Sequence, residues 1–341
     1  MEYLDSEHFL ALPDIPLIDV RSPGEYAEGH IPGAINIPVF SDEERAFVGT
    51  SYKQKGRQQA ISIGLDLVGP RLRALSDRAG HEAVDERLRV YCWRGGMRSA
   101  AMAWLFELSG ISCFALQGGY KAYRRLALAE SGNIPHLIVL EGATGSGKTE
   151  ILRRMMQSGE QVIDLEGLAR HKGSAFGGIG QPEQPTTMQF QNEIYQILRA
   201  FDRRKRIWVE GESMCIGKVC LPEGLWHAMN RSPRILIDVD RRVRARRLAS
   251  EYGSADVEKL ILATHRIARR FGGDRCRQVE ELIIGGQLEE AAFNLLDYYD
   301  KTYQFSRASN KTGSSFVISC SGIDISADCS EIIKCAEKNH L

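Results

Sequence analysis

Neither sign of charge is in surplus in this sequence: 44 Lys and Arg residues stand against 44 Asp and Glu. That balance removes any global pull toward nucleic acid or an anionic membrane, so a contact with RNA has to be made by a local patch. No apolar run reaches the length of a membrane span, and the acidic, proline-containing stretch Met1 to Ile15 lacks the look of a secretory signal. The expectation is a cytoplasmic protein with no membrane partner. The eight cysteines, at 92, 113, 215, 220, 276, 320, 329 and 335, form no C-x-x-C pair, and no histidines stand at zinc-finger spacing. Those absences argue against a structural metal site and predict free thiols in a reducing compartment.

What is present begins with length. At 341 residues the chain exceeds the size at which one core keeps growing, which predicts two domains. The densest chemistry lies in Cys92-Trp93-Arg94-Gly95-Gly96-Met97-Arg98-Ser99. Leu88 to Tyr91 alternates as a strand, and Ser99 to Leu108 reads as a helix stopped at Gly110. A strand-loop-helix of this kind aims backbone N–H groups and the positive helix end at whatever sits above the sulfur. An anion belongs there, and the same field favours a reactive thiolate at Cys92. Gly95 and Gly96 let the backbone approach that anion, Met97 and Ser99 complete the loop, and Arg94 and Arg98 are the candidate neutralising charges.

Upstream, Leu17 to Val20 is a short apolar strand, and Ser22-Pro23 suits the start of a helix. Gly29 to Pro38 gives a glycine-proline turn and a second buried strand. The run from Asp19 to Pro38 resembles the opening of the rhodanese domain, a family whose catalytic cysteine ends a strand as Cys92 does. The resemblance implies that Asp19, Arg21 and His30 serve the fold rather than the chemistry. Sulfurtransferase loops of that family hold four residues between Cys and Arg, whereas five separate Cys92 from Arg98. The longer loop suits a bulkier tetrahedral anion and is shared with the phosphatase branch of the fold, so phosphatase activity stays an alternative. The basic stretch Val48 to Ala60, with Lys53, is a solvated face or a candidate for reaching substrate. A last strand begins at Cys113, and the domain boundary is placed at Gly132, giving domains 1–132 and 133–341.

In the second domain His136 to Glu141 is a strand, and Gly142-Ala143-Thr144-Gly145-Ser146-Gly147-Lys148-Thr149 matches G-x-x-x-x-G-K-[ST] in every defined position. Its backbone N–H groups cradle a diphosphate, Lys148 adds charge, and Thr149 is a candidate magnesium ligand. Further strands at Gln161–Asp164, Arg206–Glu210 and Arg234–Asp240 predict a doubly wound parallel sheet. Asp164, Glu210 and Glu212 are candidate carboxylates at strand ends, orienting Mg²⁺ or water or simply capping helices. A helix carrying Arg241, Arg242, Arg244, Arg246 and Arg247 follows the fourth strand. These arginines, with clusters at 199–206 and 266–277, are candidate phosphate contacts; Arg241, Arg242 and Arg246, with Lys53, are those assigned to RNA. The end of the chain reads as a short helix.

A rhodanese domain joined to a P-loop domain resembles the tRNA 2-selenouridine synthase family. The resemblance rests also on Gly49 to Gln54, Asp164 to Ser174 with Phe176-Gly177, Val209 to Ser213 with Ile216-Gly217, and Leu295 to Asp300. Gly211, where an acidic residue is expected, and Lys172 depart from it. It implies a transferase acting on tRNA that carries 2-thiouridine at the wobble position. Geranyl diphosphate would geranylate the sulfur, and selenophosphate would then supply selenium through a selenylated Cys92. Both are co-substrates, and no tightly bound cofactor is expected. Tyr298, Tyr299, Tyr303 and Phe305 either pack in the core or stack on a base or prenyl chain. The rival readings are a thiosulfate sulfurtransferase or phosphatase with an accessory nucleotide-binding domain, and a nucleotide-switched RNA-binding module without turnover.

Overall fold

The computed structural model describes residues 1–307 and 312–341, with side chains described outside 303–311. The chain forms two compact units, Met1–Ala129 and Glu130–Leu341.

In the first unit five parallel strands, β1 (Glu2–Leu4), β2 (Leu17–Asp19), β3 (Ile35–Asn36), β4 (Arg87–Tyr91) and β5 (Ser112–Leu116), stand in the order β1-β5-β4-β2-β3. Sequence reading places four of these. β1 is three residues long and largely exposed, which leaves no apolar pattern to read. The central strands are buried on both faces, as a parallel sheet under helices requires. Ile18, Val90, Leu88, Met102 and Phe106 form the core beneath Cys92. All strands run the same way, so the loops after β2, β4 and β5 gather at one sheet edge.

That edge is fixed by a buried ion pair. Asp19 and Arg21 are both inaccessible to solvent, with Arg21 Nη2 donating to Asp19 Oδ2 at 2.6 Å and to Gly29 O at 2.7 Å. The guanidinium lies 4.0 Å from the centre of the Tyr120 ring, with Tyr91 and Trp93 also around it. His30 stacks on Tyr26. These contacts are structural, in keeping with the role expected of Asp19, Arg21 and His30. Removing one partner strands a charge in the core, so Asp19→Ala is expected to destabilise this unit by about 3–5 kcal/mol in denaturant titration.

The basic stretch Val48 to Ala60 is not one element. It straddles the end of a helix, Asp42–Lys55, and the start of another, Arg57–Val68, with the chain turning at Gly56 at φ +86°.

The second unit has the parallel sheet β12-β11-β6-β8-β7, made of β6 (Leu137–Gly142), β7 (Gln161–Ile163), β8 (Ile207–Glu210), β11 (Arg234–Asp238) and β12 (Ser315–Ser319). From β6 the order runs to one side through β8 and β7 and to the other through β11 and β12. The carboxyl end of β6 is therefore a point of reversal, where open sheets of this class leave a crevice. Helices cover both faces, and the terminal helix Ile325–Lys338 contributes Cys329, Ile332 and Ala336 to the core around Ile138, Ile151 and Trp208. Among the described residues no helix is long and apolar enough to cross a membrane.

One expectation is overturned here. Cys215 and Cys220 are joined by a disulfide, not held as free thiols. The reason is register. β9 (Cys215–Ile216) and β10 (Val219–Cys220) form a two-stranded antiparallel hairpin in which Cys215 lies directly opposite Cys220. Side chains directly opposite in such a ladder are neighbours, and a spacing of five residues carries no sign of it. The remaining six cysteines are free thiols.

Candidate functional site

Cys92 follows the last residue of β4 and is buried, 3% exposed. Its loop is interlocked with the one after β5. Tyr120 N donates to Cys92 O at 2.9 Å and Lys121 N to Trp93 O at 3.0 Å. A Cβ at Gly119, where φ is +60°, would meet Cys92 O at 2.3 Å, and one at Gly95, where φ is +63°, would meet Leu116 O at 2.5 Å. Glycine is thus required at both positions by closeness as well as by φ. The helix Met97–Leu108 begins at Gly96 with no side-chain cap and no acidic residue in its first turn. Its first amides are therefore unmatched by side-chain acceptors, as an anion-binding helix start requires. Ser99 Oγ lies 3.2 Å from Cys92 Sγ and donates to Gly96 O at 3.1 Å.

The two loop arginines differ. Arg94 is exposed. Arg98 is turned to Glu25, with Nη1 2.6 Å from Oε2. Burial pushes Glu25 up, yet the hydrogen bond and charge of Arg98 hold its carboxyl below the usual range. Arg98 can serve an anion at the loop only by sharing or leaving Glu25. Met97 is half exposed and receives Arg57 Nη2 at 3.7 Å on its sulfur.

In the second unit the P-loop leaves β6 and enters the helix Lys148–Gln157 through Gly147, in the left-handed region at φ +86°. Lys148 Nζ donates to Gly142 O at 2.9 Å, and Thr149 Oγ1 to Glu166 Oε2 at 2.9 Å. Ser146 Oγ is buried with no hydrogen-bond partner among the described residues, an unmet hydroxyl inside the loop. Gly142, Thr144, Gly145, Ser146, Gly147, Lys148 and Thr149 all line a cleft of about 1570 Å³.

Sequence reading missed Glu166, Tyr252 and Trp226 in that cleft, and it named Arg247 as a phosphate contact without placing it at the P-loop. Arg247 lies across Gly147, close enough that a Cβ there would overlap its guanidinium, and is ion-paired with Glu150 at 3.0 Å. Glu166 stands beside Thr149. Tyr252, Tyr298 and Tyr299, packed together against the core around Phe271 and Leu295, make an aromatic wall, and Trp226 lines the cleft as well. A smaller apolar recess of about 60 Å³ shares Thr144, Leu248, Tyr252 and Tyr299 with the cleft. Tyr298 and Tyr299 thus face the cleft, while the side chains of Tyr303 and Phe305 lie outside the described residues. A signal for Arg247 existed in the arginine-rich helix; none existed for Tyr252.

The three carboxylates part company. Asp164 caps the helix Leu165–Ala169, accepting from Gly167 N at 2.7 Å. Glu210 is wholly buried; Oε1 accepts from Glu166 N at 2.8 Å, and Oε2 has no partner among the described residues. Burial, with the nearby Asp164 charge adding to it, pushes Glu210 well above the carboxylate range. Glu212 lines the cleft and is pushed up to about 7 by burial, with Glu166 raising it further and Lys148 opposing. This shift is the reverse of the usual carboxylate case. Between about 4.5 and 7 the folded state holds a proton that the unfolded chain has lost, so stability falls as pH rises through that window. Glu212→Gln removes that penalty. Its gain in melting temperature over the parent is expected to be near zero at low pH and roughly 2–6 °C at pH 8, read by thermal melts. No group of three or more His, Cys, Asp or Glu among the described residues is placed to hold a metal ion.

Gly211 departs from the expected acidic residue for a steric reason. A Cβ there would meet Glu141 Cγ at 2.6 Å, and Glu141 is held by Arg234 at 2.7 Å in a buried pair. Lys172 lines the cleft, paired with Glu251 at 2.5 Å.

The arginine helix Arg241–Glu251 is laced to the helix Leu288–Arg307. Arg241 pairs with Asp297 at 2.7 Å, Arg242 with Glu290 at 2.6 Å, Arg244 with Asp300 at 2.9 Å and Arg246 with Glu289 at 3.6 Å. Arg241, Arg242 and Arg246 therefore already have acidic partners, whereas Lys53 is exposed and has no ion-pair partner among the described residues.

Comparison with known proteins covers both units. Residues 135–324 match the family model described as the tRNA 2-selenouridine synthase AAA domain, and residues 6–126 match the rhodanese-like domain. The chain is 36% identical over 319 residues to a tRNA 2-selenouridine synthase of Nitrosomonas europaea, covering 82% of each. It is 36% identical over 342 residues to that of Bordetella bronchiseptica, covering 87% of this chain and 90% of the relative. To that of Salmonella arizonae it is 38% identical over 260 residues, covering 74% and 70%.

Proposed function

Because the chain belongs to the tRNA 2-selenouridine synthase family, a family of tRNA-modifying transferases, we propose that it modifies wobble 2-thiouridine in two steps, one in each unit. The observation that carries this reading is the presence of two separate anion cradles, the Cys92 loop and the P-loop, each at the carboxyl edge of its own parallel sheet.

In the first step the P-loop amides and Lys148 hold the diphosphate of geranyl diphosphate, and the aromatic wall of Tyr252, Tyr298 and Tyr299 takes the apolar chain. The C–O bond to diphosphate breaks as the C–S bond to the tRNA forms. Alkylation releases the proton on the ring nitrogen, and Glu212, poised near neutrality in the cleft, is the group suited to accept it. A magnesium ion accompanying the diphosphate would be held by the oxygens of Thr149 and Glu166 and would supply charge neutralisation.

In the second step the Cys92 thiolate attacks the phosphorus of selenophosphate, so that an S–P bond forms as the P–Se bond breaks and selenide leaves. The amides at the start of helix Met97–Leu108, with Arg94 and Arg98, hold the phosphoryl oxygens until water releases phosphate from the sulfur. The geranylthio group, a better leaving group than the free thiocarbonyl, is then replaced by selenium. The test is to incubate the chain with 2-thiouridine tRNA, geranyl diphosphate and selenophosphate and to analyse the nucleosides by mass spectrometry. S-geranyl-2-thiouridine should appear first and 2-selenouridine later; absence of both overturns the reading.

A further inference from the structure

We propose that the tip of the helical hairpin Asp42–Lys55 and Arg57–Val68 is the surface on which the tRNA backbone docks beside the Cys92 loop. The inference rests on the tRNA reading above and locates its contact in the first unit.

Three observations carry it. Tyr52 to Gln59 are all exposed, and within them Lys53, Lys55 and Arg57 have no carboxylate within ion-pair distance among the described residues. The arginines of Arg241–Glu251 that were expected to meet RNA are each paired with an acidic side chain. The acids of the same hairpin stand away from its tip: Asp42 accepts from Gly24 N, Glu43 from Ser41 Oγ, Glu44 pairs with Arg71, and Asp66 is nine residues from Arg57 along the second helix. Glu44 is nine residues from Lys53, roughly 13 Å along the helix. That exceeds the screening length of about 8 Å at physiological salt.

The tip also breaks a local rule. Lys53 and Lys55 suit the negative end of their helix, but Arg57 opens the next one, where a cation opposes the helix dipole. That second helix has Gly56 at its start, no side-chain cap and no acidic residue in its first turn. Uncapped amides and three cations therefore point the same sign of field outward from one turn. Such a conflict with local preference is expected where function sets the residue. Finally, Arg57 touches Met97 at 3.7 Å, which puts this field against the loop that follows Cys92. A chain of phosphates lying on the tip is led to the sulfur, and the exposed Tyr52 offers a face for an unstacked base. RNA with single-stranded bases fits that pairing of charge and ring.

The test is a titration of the full chain with 2-thiouridine tRNA across about 0.05–0.3 M salt, read by fluorescence anisotropy. For Lys53→Gln, Lys55→Gln and Arg57→Gln combined, Kd at about 0.15 M salt is expected to rise at least roughly tenfold, and the log–log salt slope to shrink by about 2–3. Each single variant should lower the slope by about 1, which decides the matter if the triple variant fails to fold. Arg73→Glu, on the neighbouring helix Leu72–Glu82 and paired with Asp77, should leave slope and Kd as they were. An unchanged slope in the folded glutamine variants overturns the proposal, as does an equal loss in Arg73→Glu. The underlying reading fails by a different result: a parent chain that binds tRNA with a steep salt slope yet makes neither modified nucleoside.

Discussion

Cys92→Ser is expected to stop selenouridine formation, by on the order of 10³-fold or more, while S-geranyl-2-thiouridine accumulates in the tRNA. The change is small in volume, and the loop is held by backbone contacts that serine preserves: Tyr120 N to Cys92 O and Lys121 N to Trp93 O. The neighbouring Ser99 hydroxyl donates to Gly96 O at 3.1 Å, a contact that does not involve the sulfur. What is lost is the soft, ionisable nucleophile, since an alkoxide is far less accessible than a thiolate. Time courses of both nucleosides by mass spectrometry check this. Normal selenouridine from the serine variant would rule out Cys92 as the nucleophile that frees selenium from selenophosphate.

Lys148→Ala is expected to act on the other step, lowering geranylation by roughly 10²–10³-fold through lost charge-assisted binding of the diphosphate. In the structure the ammonium rests on Gly142 O at 2.9 Å, a neutral backbone acceptor that an incoming anion readily replaces. Loss of Lys148 leaves the loop amides to hold the diphosphate with Arg247 nearby, so weakened binding rather than none is the expected result. Supplying tRNA that already carries the geranyl group should restore selenouridine formation by this variant. If diphosphate affinity and geranylation were unchanged, the P-loop would have to serve some other ligand. The two variants together separate the steps: one blocks before the thioether, the other after it.

Both cradles could be read from residue order because their chemistry is local. Five residues between Cys92 and Arg98, and the glycine spacing of Gly142 to Thr149, are short-range signals, even though the Cys92 loop is also locked by backbone contacts to the loop after β5. The strands that carry them are apolar and buried, hence legible. What escaped was long-range. The hairpin that joins Cys215 to Cys220 depends on register, β12 is a half-exposed edge, and the partners of Arg241, Arg242 and Arg246 lie some forty or more residues away. The raised carboxyl of Glu212 depends on burial that only the folded cleft supplies. Charge counting misled for the same reason: Arg241, Arg242 and Arg246 look available in sequence but are neutralised in space, whereas Lys53, Lys55 and Arg57 at the turn around Gly56 have no acidic partner among the described residues.

Glu141, Arg234 and Gly211 form a mutually dependent set. The Glu141 side chain occupies the space a β-carbon at 211 would need, and the buried Arg234 has Glu141 as its ion-pair partner. To fit a carboxylate at 211, residue 141 would have to be shortened, which would strand the guanidinium at 234. A carboxylate placed at 211 alone in this chain should therefore destabilise the second unit, where an exchange that also replaces Glu141 and Arg234 should be tolerated.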